Sequence, residues 1–326
     1  MGTIEMDKTK HTRLSGLHNF RSEYSVEIMM FLVFLLLCAL ISVLTPRFLS
    51  AGNIRNLFWQ ATTVGIIAIG QTLIILTAGI DLSVGGIMAI SAMLGGLVMS
   101  NTSLGAGITT VLLTGLGVGV LNGVLVSYAR LAPFIVTLGT LSITQSLTYV
   151  ITDGSSITGL PAGYRFFGYQ RVFGLPLYTI VLIGLFILGH IMLKKTKLGR
   201  FLYAIGSNEE ASRLAGVNVK FNKMIAYSIT GLLCAIAALI LTSRLGAIDP
   251  DTGSGIELDT IAAVVIGGAS MSGGKGSLVG TLIGVFFITV LHNGLNLIGV
   301  SPFWQGSAVG AVIIISVLLD SMLRSR

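Results

Sequence analysis

Apolar runs of about 17–25 residues recur from Val26 to the C-terminal end, each the length of an α-helix that crosses a hydrocarbon layer of ~30 Å. No water in that layer can satisfy the backbone, so a chain built this way must fold as a bundle of helices or close into a barrel. Unbroken apolar runs, rather than short alternating ones, select helices. Charged residues make up only 10% of the chain and mean hydropathy is +0.90. An ordinary soluble domain carries about 25% charged residues, so that class is excluded.

The runs predict about ten transmembrane helices, near 26–44, 56–78, 82–100, 106–129, 132–152, 175–193, 223–246, 257–272, 277–298 and 303–320. The expected fold is all-α and polytopic. Its parts are an N-terminal segment 1–25, a first membrane half 26–193, a loop 194–222 and a second membrane half 223–326. The basic N-terminal residues Lys8, Lys10, Arg13 and Arg21 precede an apolar stretch without a small-residue cleavage site, so a retained first span is expected.

An even number of spans puts both termini on one side. Taking that side as cytoplasmic places 15 of the 20 Lys and Arg residues inside, as the positive-inside rule requires. The opposite loops carry Asp153, Asp249, Asp251, Glu257 and Asp259, and Trp59 and Trp304 fall at outer span ends. The net charge of +7 is thus explained by orientation. No basic patch with interleaved aromatics points to nucleic acid.

Three pairs of short segments repeat with nearly constant separation. Gly79-Ile80-Asp81-Leu82 matches Gly255-Ile256-Glu257-Leu258, Asn122-Gly123 matches Asn293-Gly294, and Pro133-Phe134 matches Pro302-Phe303. The matches lie five spans apart, and an odd number reverses direction, so two inverted five-helix halves are expected. Asp81 would face the cytoplasm and Glu257 the outside. Inverted halves are a common transporter plan, with the substrate path between them.

The one polar island, Lys194–Lys223, holds seven basic residues. Ser207 followed by Glu210 reads as a capping box and Gly216 as the stop of a short helix of about eight residues. Glu209 and Glu210 in its first turn and Arg213 near its end suit the helix dipole. A helix that short is unstable alone, so it is expected to dock on a partner.

Other motifs carry less. Gly115, Gly119 and Gly123, and again Gly276, Gly280 and Gly284, form tandem GxxxG patterns that allow close helix approach. Gly273-Gly274-Lys275-Gly276 lacks the Ser or Thr of a phosphate loop and is read as a tight turn. Gln71, Asn122, Gln145 and Asn293 are candidates for a translocation path, because intramembrane polar residues face a bundle interior or a water-filled route. Interhelical hydrogen bonding is the alternative use for them. No metal site or catalytic constellation can be built from the sequence, and Cys38 and Cys234 lie inside apolar spans.

Gly70-Gln71-Thr72-Leu73-Ile74-Ile75-Leu76-Thr77-Ala78-Gly79-Ile80-Asp81-Leu82-Ser83-Val84-Gly85 resembles the first-half signature of ribose-type monosaccharide ABC transporter permeases. Thr196-Lys197-Leu198-Gly199-Arg200, Ala204-Ile205-Gly206-Ser207-Asn208-Glu209-Glu210-Ala211 and Arg213-Leu214-Ala215-Gly216-Val217 are similar to their cytoplasmic loop. Glu257-Leu258-Asp259, Ile261-Ala262-Ala263-Val264-Val265 and Gly273-Gly274-Lys275-Gly276 are similar to their second-half signature.

The resemblance implies an inner-membrane sugar importer. Two copies of the chain would form the pathway, a cytoplasmic ATP-binding subunit would drive it, and a periplasmic binding protein would deliver a ribose- or allose-like sugar. It also makes Asn208 to Gly216 a coupling helix, with Asn208, Glu209, Glu210, Arg213 and Gly216 as its contact residues. ATP would be hydrolysed on the partner, so this chain would bind no nucleotide and perform no chemistry. Alternatives are a permease for another small polar nutrient, such as a sugar-derived signal or a branched-chain amino acid, a secondary carrier without an ATPase, and a membrane scaffold.

Overall fold

The computed structural model describes residues 25–324. The N-terminal segment 1–24 with Lys8, Lys10, Arg13 and Arg21, and the terminal Arg326, lie outside the described residues. The chain runs α1 (Ser25–Leu44), α2 (Ala51–Leu76), α3 (Val84–Asn101), α4 (Leu104–Ser127) and α5 (Pro133–Thr152). An excursion follows, with a 3-10 turn at Ala162–Arg165, α6 (Phe166–Tyr169) and a hairpin of β1 (Arg171–Val172) and β2 (Leu175–Pro176). Then come α7 (Leu177–Lys195), α8 (Lys197–Ser207), α9 (Glu209–Leu214), α10 (Val219–Leu245), α11 (Ile256–Ile266), α12 (Leu278–Leu297) and α13 (Gln305–Arg324).

Among the described residues, eight helices are long and apolar enough to cross a membrane: α1 to α5, α7, α10 and α12. The chain is an all-α, multi-pass membrane protein. The expected eighth span, 257–272, is instead the 11-residue helix α11, about 16 Å long at 1.5 Å per residue, roughly half of what a bilayer core requires. Gly267 and Gly268 stop it, and residues 267–276 turn back into α12. At the place of the tenth, the structure has the 20-residue helix α13 (Gln305–Arg324).

Local chemistry sets the helix ends. Ser50, Ser103, Thr196 and Ser277 each accept a hydrogen bond from a backbone N–H three residues on, which satisfies one orphan donor per helix start. Pro133 opens α5 at the position where its missing N–H is harmless. Within the helices, hydroxyls such as those of Thr62, Thr72 and Thr230 donate to the carbonyl four residues back, so they need no water.

Helices α2 and α10 form the centre. α2 is buried along most of its length, touching α7 at Gly65–Leu182, α12 at Gly65–Val285 and α10 at Gly70–Thr230. α1 lies at the periphery, with Leu36 and Val43 turned outward, the expected state of a lipid-facing helix.

Both tandem glycine patterns are consumed by packing inside this chain. A Cβ at Gly115 would sit 2.5 Å from the Gly231 carbonyl oxygen, one at Gly119 2.6 Å from that of Tyr227, and one at Gly123 2.9 Å from Met224 Cα. All three partners are on α10. Gly280 faces Gly267, just past the end of α11, and Gly284 faces Ala263 within it in the same way. The two signature segments also meet: a Cβ at Gly85 would lie 2.5 Å from the Gly253 carbonyl oxygen and 2.7 Å from a Glu257 carboxylate oxygen.

Gly119→Leu is expected to lower the melting temperature of the detergent-solubilised protein, since overpacking costs about 1–3 kcal/mol. Gly117→Leu, with nothing within 4 Å of the added Cβ, should melt like wild type in the same fluorescence assay.

Candidate coupling and translocation site

The polar island folds as two helices, not one. α8 buries Gly199, Leu202 and Ile205 and exposes Lys197 and Arg200, which makes it strongly amphipathic. It runs on through Ser207, whose hydroxyl donates to the Tyr203 carbonyl at 2.9 Å. The expected capping box from Ser207 is therefore wrong. Asn208 caps α9, accepting from the Ala211 N–H at 2.9 Å, and α9 has six residues.

Glu210, expected in that box, pairs instead with Arg213 at 2.5 Å, both side chains about two-thirds exposed. The pair holds Glu210 below the usual carboxylate range and raises Arg213, first through the hydrogen bond and then through charge. The stop at Gly216 is as expected. With φ +82°, its N–H donates to the Arg213 carbonyl while the Val217 N–H donates to that of Ser212, a Schellman arrangement.

Lys223 of α10 ties α9 down through Glu209 at 2.5 Å. Asn208, Glu209, Glu210, Arg213 and Gly216 all stay exposed, and Leu214 shows 78% of its surface. Beside α9 a groove of about 510 Å³ opens between the α4–α5 corner (Ser127, Arg130, Leu131) and α9–α10 (Glu209, Arg213, Lys220).

The far end of α8 is wedged into the membrane bundle. A Cβ at Gly206 would lie 1.8 Å from the Leu76 carbonyl oxygen and 2.4 Å from the Gly274 nitrogen. The Gly274 N–H donates to that Leu76 carbonyl at 3.0 Å, and the Tyr203 hydroxyl donates to the Gly276 carbonyl at 2.8 Å. The broken end of α2, the 267–276 turn and α8 thus meet at one point. The Gly273–Gly276 stretch is the tight turn that its sequence suggests, with Gly273, Gly274 and Gly276 all at positive φ.

Beyond Leu76 the backbone is irregular through Ser83, with Ala78 left-handed at φ 59°. Asp81 lies in this break and is fully buried. One carboxylate oxygen accepts from the Ser83 N–H (2.8 Å) and hydroxyl (2.6 Å). Asn122 of α4 donates to the Ser83 hydroxyl at 2.8 Å, and Thr140 of α5 donates to the Asn122 carbonyl oxygen at 2.6 Å. A buried polar chain thus links α3, α4 and α5. The other Asp81 oxygen and the Tyr227 hydroxyl have no hydrogen-bond partner among the described residues.

The four path candidates are not brought together. Gln71 is buried in α2 with its amide unpartnered among the described residues. Asn122 belongs to the Asp81 chain. Asn293 exchanges two amide hydrogen bonds with Asn53, at 2.8 and 2.9 Å. Gln145, half-buried, donates to the Pro250 carbonyl at 3.0 Å. Beside it Thr148 donates to the same carbonyl at 3.2 Å, and the Tyr149 hydroxyl donates to Asp251.

Sequence reasoning missed Ser83, Thr140, Gly206, Tyr203 and Lys223. A signal existed for α5, where Thr137, Thr140, Thr144 and Thr148 recur at helical spacing and are all buried. A glycine inside amphipathic α8 was a second signal, since it lowers helix stability without a packing reason.

The family described as branched-chain amino acid transport system / permease component matches residues 53–317. The ribose import permease protein of Bacillus subtilis (strain 168) is 47% identical over 89% of this chain and 91% of its own length. The ribose import permease protein of Escherichia coli (strain K12) is 39% identical over 94% and 98%. The D-allose transport system permease protein of the same strain is 36% identical over 90% and 91%. No solved structure matches.

Asn122→Leu should destabilise the bundle by about 1–3 kcal/mol, because it removes the acceptor of the buried Thr140 hydroxyl and the donor to the Ser83 hydroxyl, which keeps only its bond to Asp81. Thermal unfolding in detergent checks this, with Thr140→Val expected to cost less.

Proposed function

The chain belongs to the branched-chain amino acid transport system / permease component family and to the ribose-type sugar import permeases within it, and on that premise we propose that it is the membrane-spanning subunit of an ABC importer for a ribose- or allose-like monosaccharide. The observation that carries this reading is α9, a capped and exposed helix anchored at Glu209–Lys223 and joined through α8 to the broken end of α2. A carrier without an ATPase needs no such element.

In this reading Asn208, Glu209, Glu210, Arg213 and Gly216 meet a cytoplasmic ATP-binding subunit, and the groove beside α9 receives part of it. ATP binding and hydrolysis on that partner move α9. Because Gly206, Leu76 and Gly274 are in backbone contact, α8 passes the movement to the segment carrying Asp81 and to the 267–276 turn. Two copies of the chain then rock between inward- and outward-open states. This chain binds no nucleotide and performs no chemistry.

Both termini lie in the cytoplasm and the protein sits in the bacterial inner membrane, an orientation supported by the excess of Lys and Arg on that side. A periplasmic binding protein delivers the sugar. The path runs through the interior bearing Gln71, Asn122, Gln145 and Asn293.

Two substitutions separate coupling from folding. Glu209→Lys and Gly206→Val are each expected to abolish most ATP-driven uptake of labelled ribose into proteoliposomes containing the cognate ATPase and binding protein. Yield in the membrane should stay near wild type for Glu209→Lys. Uptake that proceeds without ATP, or normal transport in both variants, sinks the assignment.

A further inference from the structure

A second cavity, of about 320 Å³, opens at the opposite end of the bundle from α9, between the start of α2, the end of α10 and the α6–β2 excursion. Three arginines line it, Arg55, Arg171 and Arg244, and its lining contains no carboxylate. Arg55 and Arg171 are exposed, and none of the three makes an ion pair with another described residue. Arg244 is held in place by aromatic faces, 4.5 Å above the ring of Trp59 and 5.7 Å from that of Tyr178. Three guanidiniums at the rim of one concavity repel one another, and an anion between them removes that repulsion while accepting their N–H groups in pairs.

The surroundings choose between anions. The hairpin that carries Arg171 turns Phe173 fully outward, and Phe166, Tyr169 and Leu175 are each at least half exposed. The cavity wall then continues into α7, whose Ile183, Ile187 and Leu188 face outward. Aromatic rings and arginines at the end of lipid-facing helices mark the level of the headgroups. An apolar fringe of this kind at the level of the headgroups suits acyl chains and not a freely dissolved ion.

We propose that Arg55, Arg171 and Arg244 form a binding site for the headgroup of one anionic phospholipid, whose acyl chains lie along the outer face of α7. The site does not depend on which solute the protein carries.

The test uses the full chain in nanodiscs of equal phosphatidylglycerol and phosphatidylcholine, with bound lipid counted by native mass spectrometry after detergent extraction. Wild type should retain phosphatidylglycerol in preference. Arg55→Gln/Arg171→Gln leaves the stacked Arg244 untouched, and should lower the phosphatidylglycerol-to-phosphatidylcholine ratio at least roughly five-fold, the effect of about one basic residue at a membrane surface. An unchanged ratio overturns the proposal. Displacement of the lipid by inorganic phosphate would show a site for free anions instead. A variant that keeps the lipid preference but loses an acidic soluble partner would assign the arginines to a protein interface, which also overturns it.

Discussion

The carbonyl of Leu76 is the point on which the interior arrangement turns. α2 ends there inside the bundle, and the end of a helix leaves its last carbonyls without partners. In apolar surroundings an unpaired carbonyl costs several kcal/mol. The Gly274 N–H fills this one at 3.0 Å, which fixes the 267–276 turn against the break, and only a glycine at 206 lets α8 close over the pair. One backbone hydrogen bond thereby joins three segments lying more than 60 residues apart in sequence: the end of α2, the end of α8 and the start of α12.

The same economy of atoms governs the bundle as a whole. Lipid chains are as apolar as leucine, so helices in a bilayer gain little by hiding apolar surface and hold together by close packing and hydrogen bonds. The α4–α10 seam shows the first device, with Gly115, Gly119 and Gly123 set against Met224, Tyr227 and Gly231. The Asp81–Ser83–Asn122–Thr140 chain shows the second, since the Asn122 side chain bonds Ser83 before α3 and Thr140 on α5. Within the break Thr77, Gly79, Asp81 and Ser83 are buried while Ala78 is exposed, and irregular backbone inside a membrane bundle is tolerated where protein encloses it. Gly206 of α8 packs against Leu76, the residue after which this break begins.

Much of this was legible in the sequence. Runs of apolar residues located the long helices to within a few positions, because span length is set by bilayer thickness and needs no knowledge of neighbours. The island at 194–223 stood out by charge alone, and Gly216 was readable as a helix stop because left-handed backbone favours glycine at that place. The glycine repeats were readable as close contacts, though not whom they contact. The cap of α9 was misread because Ser207 and Asn208 are both good N-cap residues, and the choice fell to Asn208 only when α8 extended through Ser207 to bring Gly206 onto Leu76.

The sequence by itself determined the class of the protein, the places of its long helices, the exposed polar segment and the family signatures, all properties carried by local composition and spacing. Tertiary structure alone decided that Asp81 is buried, that α11 is half a span, and that Arg55, Arg171 and Arg244 share one cavity. Depth, partner and convergence depend on contacts between residues tens to hundreds of positions apart. A one-dimensional pattern does not contain those contacts until backbone hydrogen bonding and close packing in a water-free layer select them.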